Sequence, residues 1–397
     1  MKSIFILGAS RLQLPAILKA KELGLYVYVL DYDPNAIGIQ YADLFLEIST
    51  IDKEAVLDAA KKYKPDYIIT STSDMPVRTV SWVCEQLGMK TDISFENAMC
   101  ATNKKLMRRR MKEQHVPIPE FYEITELGEF IDTFSHLDGK YVVKPADNAA
   151  SRGVVFVDTD EKLDLKKIYE YCVNYSRGAG LLIEEYMEGP EVSVEAFSVN
   201  GEAHIITITD KIVTDLPFFV ELGHTEPSRL SKEQQDDIHR VALAAIKAIG
   251  MVNGPTHTEI KVTESGAKLV EIAARLGGDF ITSRLVPLST GVDMIECSYD
   301  ALFGKSVRYK SVLDRGAAIR FIQGSEGKLV SISGLDQVKS MDNVVEFEIY
   351  KSIGDYIRKP ENSSDRIGHI IAVGKDANEA DCIANEALSK IKIETVI

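Results

Sequence analysis

The sequence predicts a protein of α/β and α+β class: a parallel α/β unit, two α+β units and a β-rich C-terminal part. Three observations carry this. The 397 residues exceed what one ordinary hydrophobic core fills, so several units are expected. The first 95 residues alternate short apolar strands with helices, the pattern of a parallel α/β layer. Further on, turn signals such as Asn200-Gly201 and Glu264-Ser265-Gly266 join strands as hairpins, and the chain turns β-rich from about residue 306. The expected units are 1–95, 96–190, 191–305 and 306–397.

In the first unit, Ser3 to Leu7 reads as a buried strand and Gly8-Ala9-Ser10 as a turn. Leu12 to Leu23 reads as a helix with Pro15 in its first turn, where proline is tolerated. Tyr26 to Leu30, Leu44 to Ile48 and Tyr67 to Thr70 continue as strands, with helices over Asp52 to Tyr63 and Asp74 to Leu87. The second unit opens with a basic helix, Asn103 to His115, then strands at Phe121 to Ile124, Tyr141 to Pro145, Val154 to Val157 and Leu181 to Met187. A helix, Lys162 to Tyr175, precedes the last of these. The third unit has strands Glu191 to Val199 and Ala203 to Val213, a loop Thr214 to Ser228 and a helix Lys232 to Ile249. A hairpin follows, with arms Thr256 to Val262 and Ala267 to Arg275. Strands at Ala318 to Ile322, Val344 to Ile349 and His369 to Val373, then a helix Asn378 to Ile391, close the chain.

A net charge of −14 argues against nucleic acid or an anionic membrane as the main partner, while leaving room for a local basic pocket. The five cysteines are scattered without a C-x-x-C pair, as expected of reduced thiols in a cytoplasmic protein. No run reaches the roughly 18 apolar residues of a membrane span. Gly8-Ala9-Ser10-Arg11 with Asp31 downstream lacks the second and third glycines of a dinucleotide fingerprint.

Side chains alternate along a strand, so His257, Glu259 and Lys261 share one face, as do Glu271, Ala273 and Arg275. A three-residue loop pairs Thr263 with Ala267 and sets Glu259 opposite Glu271. Facing carboxylates repel. A hard cation between them reverses the sign, and oxygen-only ligands favour Mg2+ or Mn2+; a solvated acidic pair is the plainer alternative. Lys144 lies mid-strand in an apolar run, where a charge must pair or face a cavity. The small-residue loop Ala146 to Gly153 after it lets backbone N–H groups approach an anion, although the P-loop pattern is absent. Gly277-Gly278-Asp279 reads as a substrate-facing loop or a helix entry with Asp279 as N-cap, and the two are compatible.

In order, Lys104, Lys144-Pro145, Ser151-Arg152-Gly153, Glu184-Glu185-Tyr186-Met187-Glu188-Gly189-Pro190-Glu191, Glu259, and Glu271 with Arg275 resemble the ATP-grasp superfamily over roughly residues 1 to 305. His257 to Lys261 and Ala273-Ala274-Arg275 look most like bacterial L-amino acid ligases of the bacilysin type. Many superfamily members carry Glu-x-Asn-x-Arg on the second arm; here Ala273 replaces the asparagine, removing one metal ligand. The resemblance implies an ATP-grasp fold with an N-terminal pre-ATP-grasp domain and two subdomains gripping ATP.

It also implies residue roles. Lys104 and Lys144 would contact phosphates, and Ser151, Arg152 and Gly153 would form the lid. Glu184, with the backbone of Glu185 and Met187, would hold adenine, and Glu191 the ribose. Glu259 and Glu271 would bind Mg2+ (or Mn2+), and Arg275 would face the transferred phosphoryl group. The implied activity is ATP-dependent joining of a carboxylate to an amine through an acyl phosphate. The other classes are an ATP-grasp kinase or carboxylase and a non-catalytic ATP-binding regulator. Thr214 to Ser228, with Phe218, Phe219, Glu221 and His224, mixes apolar wall and polar ends suited to an amino acid. Glu221 would hold an ammonium, and His224 or His257 would take the amine's proton near neutral pH. Gly277, Gly278 and Asp279 complete the substrate-binding set. Expected partners are small-molecule carboxylate and amine substrates, with a homodimer as the assembly.

Overall fold

The computed structural model describes residues 1–148, 152–214, 220–359 and 365–396. Strands β1 (Ser3–Leu7), β2 (Tyr26–Asp31), β3 (Leu44–Glu47) and β4 (Tyr67–Ile69) form a parallel sheet in the order β3-β2-β1-β4. Helices α1 (Leu14–Glu22), α2 (Lys53–Tyr63) and α3 (Met75–Leu87) connect them and lead out of the sheet. The strand order reverses between β1 and β4, so the loops after them frame the crevice where such sheets take ligands.

Helices α4 (Phe95–Thr102) and α5 (Lys104–Glu113) then lead to a small sheet. Asn103 caps α5, its side chain accepting from the N–H groups of Lys105 and Leu106. The small sheet holds β5 (Phe121–Ile124), β6 (Lys140–Pro145), β7 (Val155–Asp158) and β8 (Leu181–Glu185) in the order β5-β8-β6-β7, all antiparallel. Helices α6 (Leu127–Phe134) and α7 (Leu165–Asn174) cover it, burying Phe130, Phe134 and Cys172 against Val143 and Ile183.

The largest sheet starts with β9 (Glu191–Val199), β10 (Glu202–Val213), β11 (Glu221–Glu226), β12 (Gly254–Thr263) and β13 (Gly266–Ala273). After β14 (Gly316–Ile322) come β15 (Gly327–Ser333), β16 (Val344–Ile349), β17 (Tyr356–Ile357), β18 (Gly368–Gly374) and β19 (Lys392–Val396). Eight strands run in the order β13-β12-β9-β10-β11-β14-β18-β16, while β17, β15 and β19 form a separate sheet. Strands β14, β18 and β16 thus extend the sheet that carries the hairpin. Helix α8 (Lys232–Ala248), started by a Ser231 and Gln234 capping box, lays Ile238, Val241 and Ala245 on Leu269 and Ile272. Among the described residues no helix is long and apolar enough to cross a membrane.

Thr214 to Ser228 departs from its reading as a loop. Its second half is β11, a buried strand between β10 and β14. Gly223 is compatible with that position because a Cβ there would lie 2.5 Å from the Ile319 carbonyl oxygen.

Candidate active site

A cleft of about 380 Å³ opens between the small sheet and the large one, with the loops after β1 and β4 contributing Leu12, Thr72 and Asp74. Every site residue named from sequence borders it except Gly153 and Gly277; Ser151, Phe218 and Phe219 lie outside the described residues.

The hairpin sets the floor. Glu259 stands opposite Glu271, as expected, but by a different route. The turn is tighter than three residues, with Thr263 paired to Gly266, and the register shifts between Glu259 and Ile260, skipping Val270. That bulge reverses the alternation. Before it Ala267 and Leu269 enter the core; after it Ile272 and Ala274 do, so Glu271 and Ala273 face the cleft. Without the bulge Glu271 would point into the apolar core. The Val270 carbonyl accepts from Arg108 Nη2 at 2.7 Å.

Each floor carboxylate has an ammonium beside it. Lys104 Nζ lies 2.8 Å from Glu271, and Lys211 Nζ lies 2.9 Å from Glu259 and 2.5 Å from Glu191. Burial opposes the charge on Lys211, yet Glu191, Glu259 and Glu221 hold it well above the ordinary lysine value. Burial likewise opposes the Glu259 carboxylate, which Lys211 and His257 hold well below its ordinary range. Among the described residues no group of three or more His, Cys, Asp or Glu side chains gathers as a metal cage. Two facing carboxylates still fit Mg2+, which commonly takes one or two from protein and fills its remaining positions with water and phosphate oxygens.

Under the small sheet, Lys144 Nζ meets Glu184 at 2.7 Å, and Arg108 holds the same carboxylate at 2.8 and 3.0 Å. Burial and the two neighbouring cations lower the Lys144 ammonium, with Glu184 opposing. Burial disfavours the Glu184 charge, but Arg108 and Lys144 hold its carboxyl down to about 2. Its side chain therefore organises two cations at the cleft wall. Glu185 donates its N–H to the Glu120 carbonyl, and its carboxylate takes Lys268 at 3.0 Å. Gly153 sits behind the wall with φ of +75°, where a Cβ would meet Tyr175 at 2.7 Å.

Arg275 faces the cleft but is held by Asp74, at 2.7 and 3.2 Å. His257 Nδ1 lies 2.5 Å from Glu195, a carboxylate buried beneath the floor, and its Nε2 lies 3.6 Å from Glu259. Burial favours a neutral ring, yet Glu195 and Glu259 raise it to about 9. Between these two carboxylates the ring is placed to donate from both nitrogens. Gly277 leaves room for this pair, since a Cβ there would lie 2.8 Å from His257 Nδ1.

Sequence reading did not assign Arg108, Lys211, Asp74, Glu195 or Arg366 to the site. Lys211 carried a usable signal, being a mid-strand lysine like Lys144. Glu195 did as well, lying two and four residues beyond Ser193 and Glu191 on the same strand face. Arg366, which binds Asp279 and Glu221, carried none.

An ATP-grasp domain family matches residues 138–283, and the L-amino acid ligase C-terminal domain 2 matches residues 320–396. Alanine–anticapsin ligase of Bacillus subtilis (strain 168) is 27% identical over 274 residues, 64% of this chain; the chain spans only 57% of that protein's length. An L-arginine-specific L-amino acid ligase of Bacillus subtilis is 22% identical, covering 83% of this chain and 80% of that one. The crystal structure of the L-amino acid ligase from Bacillus licheniformis superposes with a TM-score of 0.85 at 22% identity, covering 100% of this chain and 99% of that one. These matches show an ATP-grasp fold, with similarity to an ATP-grasp domain over residues 138–283 and to an L-amino acid ligase C-terminal domain over residues 320–396.

Proposed function

We propose that the protein uses ATP and Mg2+ to join the carboxylate of an amino acid to an amine, releasing ADP and phosphate. The observation that carries this is the pair Glu259 and Glu271, facing across the ladder beside Lys211 and Lys104 and within one cleft with Arg275. Lys104 and Lys144 hold the phosphates, with Arg152 and Gly153 in the covering loop. The wall at Glu184, Glu185 and Met187 takes adenine, and Glu191 the ribose. Glu259 and Glu271 would hold the metal, which would supply charge neutralisation. Arg275 faces the oxygens that gain charge as the phosphoryl group passes to the carboxylate. Phosphoryl transfer asks chiefly for alignment and charge neutralisation, which these side chains provide. The acyl phosphate is then open to the amine, whose attack expels phosphate and releases a proton. Glu221, His224, Gly278 and Asp279 line the substrate part of the cleft. His257 and Gly277 support it from below.

Hydroxylamine tests this, because it intercepts acyl phosphates as hydroxamates whatever the natural amine is. A panel of L-amino acids with ATP, Mg2+ and hydroxylamine should give ADP and hydroxamate together for at least one acid. EDTA should abolish both. ADP release indifferent to the acid, or the absence of hydroxamate across the panel, would overturn the ligase reading.

A further inference from the structure

The substrate part of the cleft is braced by a residue from the C-terminal segment. Arg366 is 5% exposed and lies behind Asp279 and Glu221. Its Nη1 donates to Asp279 Oδ1 at 2.7 Å and its Nη2 to Asp279 Oδ2 at 2.8 Å, a two-pronged grip that fixes the carboxylate plane. The same Nη2 reaches Glu221 Oε2 and the Glu221 carbonyl, each at 3.1 Å. The guanidinium rests on the Phe321 ring, 3.6 Å from its centroid. His224 Nε2 approaches Asp279 Oδ2 at 3.3 Å from the other side.

The backbone beneath explains why such a brace is needed. Asp279 and Phe280 have φ of 52° and 62°, two successive left-handed residues that each carry a Cβ. Strain of this kind persists only where its surroundings over-determine it. Arg366 grips the first of the two, and His369 stacks on the ring of the second at 4.4 Å between centroids. The brace also settles a charge conflict. Asp279 and Glu221 share the guanidinium, so two acids that would repel each other form one unit with a single net negative charge. Lys211 lies 4.0 Å from Glu221 but is nearer to Glu191 and Glu259.

We propose that Arg366 is a positioning residue for the acid substrate, fixing Asp279 and Glu221 as one anionic unit that selects an acid bearing an ammonium group over the same acid without it. This rests on the ligase reading above. The role belongs to the C-terminal segment, although both carboxylates it positions lie outside that segment.

The test uses the amino acid giving most hydroxamate in the panel, together with its des-amino counterpart. MgADP binding by calorimetry serves as the readout that Arg366 should not move. R366Q is expected to raise KM for the amino acid about tenfold or more and to abolish its preference over the des-amino acid. MgADP affinity should stay within about twofold, a difference well below 1 kcal/mol. R366K keeps the charge without the fork, so an intermediate loss is expected, and it carries the test if R366Q fails to fold. Asp279→Asn should reproduce the defect, and the double variant D279N/R366Q should be no worse than the worse single one, because both act through one contact. An unchanged preference in a folded Arg366 variant, or losses that multiply in the double variant, would overturn the proposal. A wild type that binds MgADP but forms no hydroxamate defeats the ligase reading itself and this proposal with it, an outcome distinct from an active wild type indifferent to Arg366.

Discussion

Arg275 shows how a single side chain can be ready for chemistry yet held at rest. Its fork is engaged by Asp74 from the loop after β4, and Glu271 and Glu259 reinforce its charge from the floor. A preorganised donor at a developing oxyanion is typically worth about 3–4 kcal/mol. Arg275→Ala should therefore slow ADP release roughly a hundredfold or more while MgADP still binds, read by steady-state kinetics beside calorimetry. Unchanged turnover would remove Arg275 from the chemistry. The side chains legible in the sequence were those breaking a local pattern: Lys144 within an apolar strand, and Glu259 and Glu271 at matched places on a hairpin. Arg366 was not legible, because its partner Asp279 is 87 residues away and its own neighbourhood marks nothing.

Among the elements, the α/β layer was readable because its periodicity is local, and β1, β2 and β4 fall where the apolar runs predicted them. The eight-stranded order was not readable: pairings such as β12 with β9 and β11 with β14 join distant stretches that no local signal connects. The expected facing of Glu259 and Glu271 holds although the turn is shorter than the count assumed, because the bulge at Val270 restores the missing step. Arg108 ties these elements together, gripping Glu184 on β8 and the bulge carbonyl on β13 from its place on α5. R108M would leave the Glu184 carboxylate with Lys144 alone and the Val270 carbonyl without its donor. Breaking a buried pair from one side costs about 3 kcal/mol or more, so its urea midpoint should fall well below that of the wild type. An unchanged midpoint would show that α5 is held by its apolar contacts alone.

The whole molecule carries a proton in its interior. Glu226 is fully buried, with Thr209 at 2.7 Å and Ser289 at 2.8 Å, and burial raises its carboxyl to about 8. The unfolded chain releases that proton near 4.5 while the fold retains it, so between those values the native state binds more protons. Stability therefore falls as pH rises across the window. Glu226→Gln should flatten the decline, measured as urea unfolding at about pH 5 and about pH 8; an identical slope in the variant would place the proton elsewhere. The pairing of lysines with acids along the cleft has a further result. Lys104 leans on Glu271, so a nucleotide arriving bare would strip that carboxylate of its cation and a metal arriving bare would displace the ammonium group, whereas Lys211 keeps Glu191 when Glu259 turns to the metal. Arriving together, they let Lys104 and Glu271 change partner at once, so each ion makes room for the other.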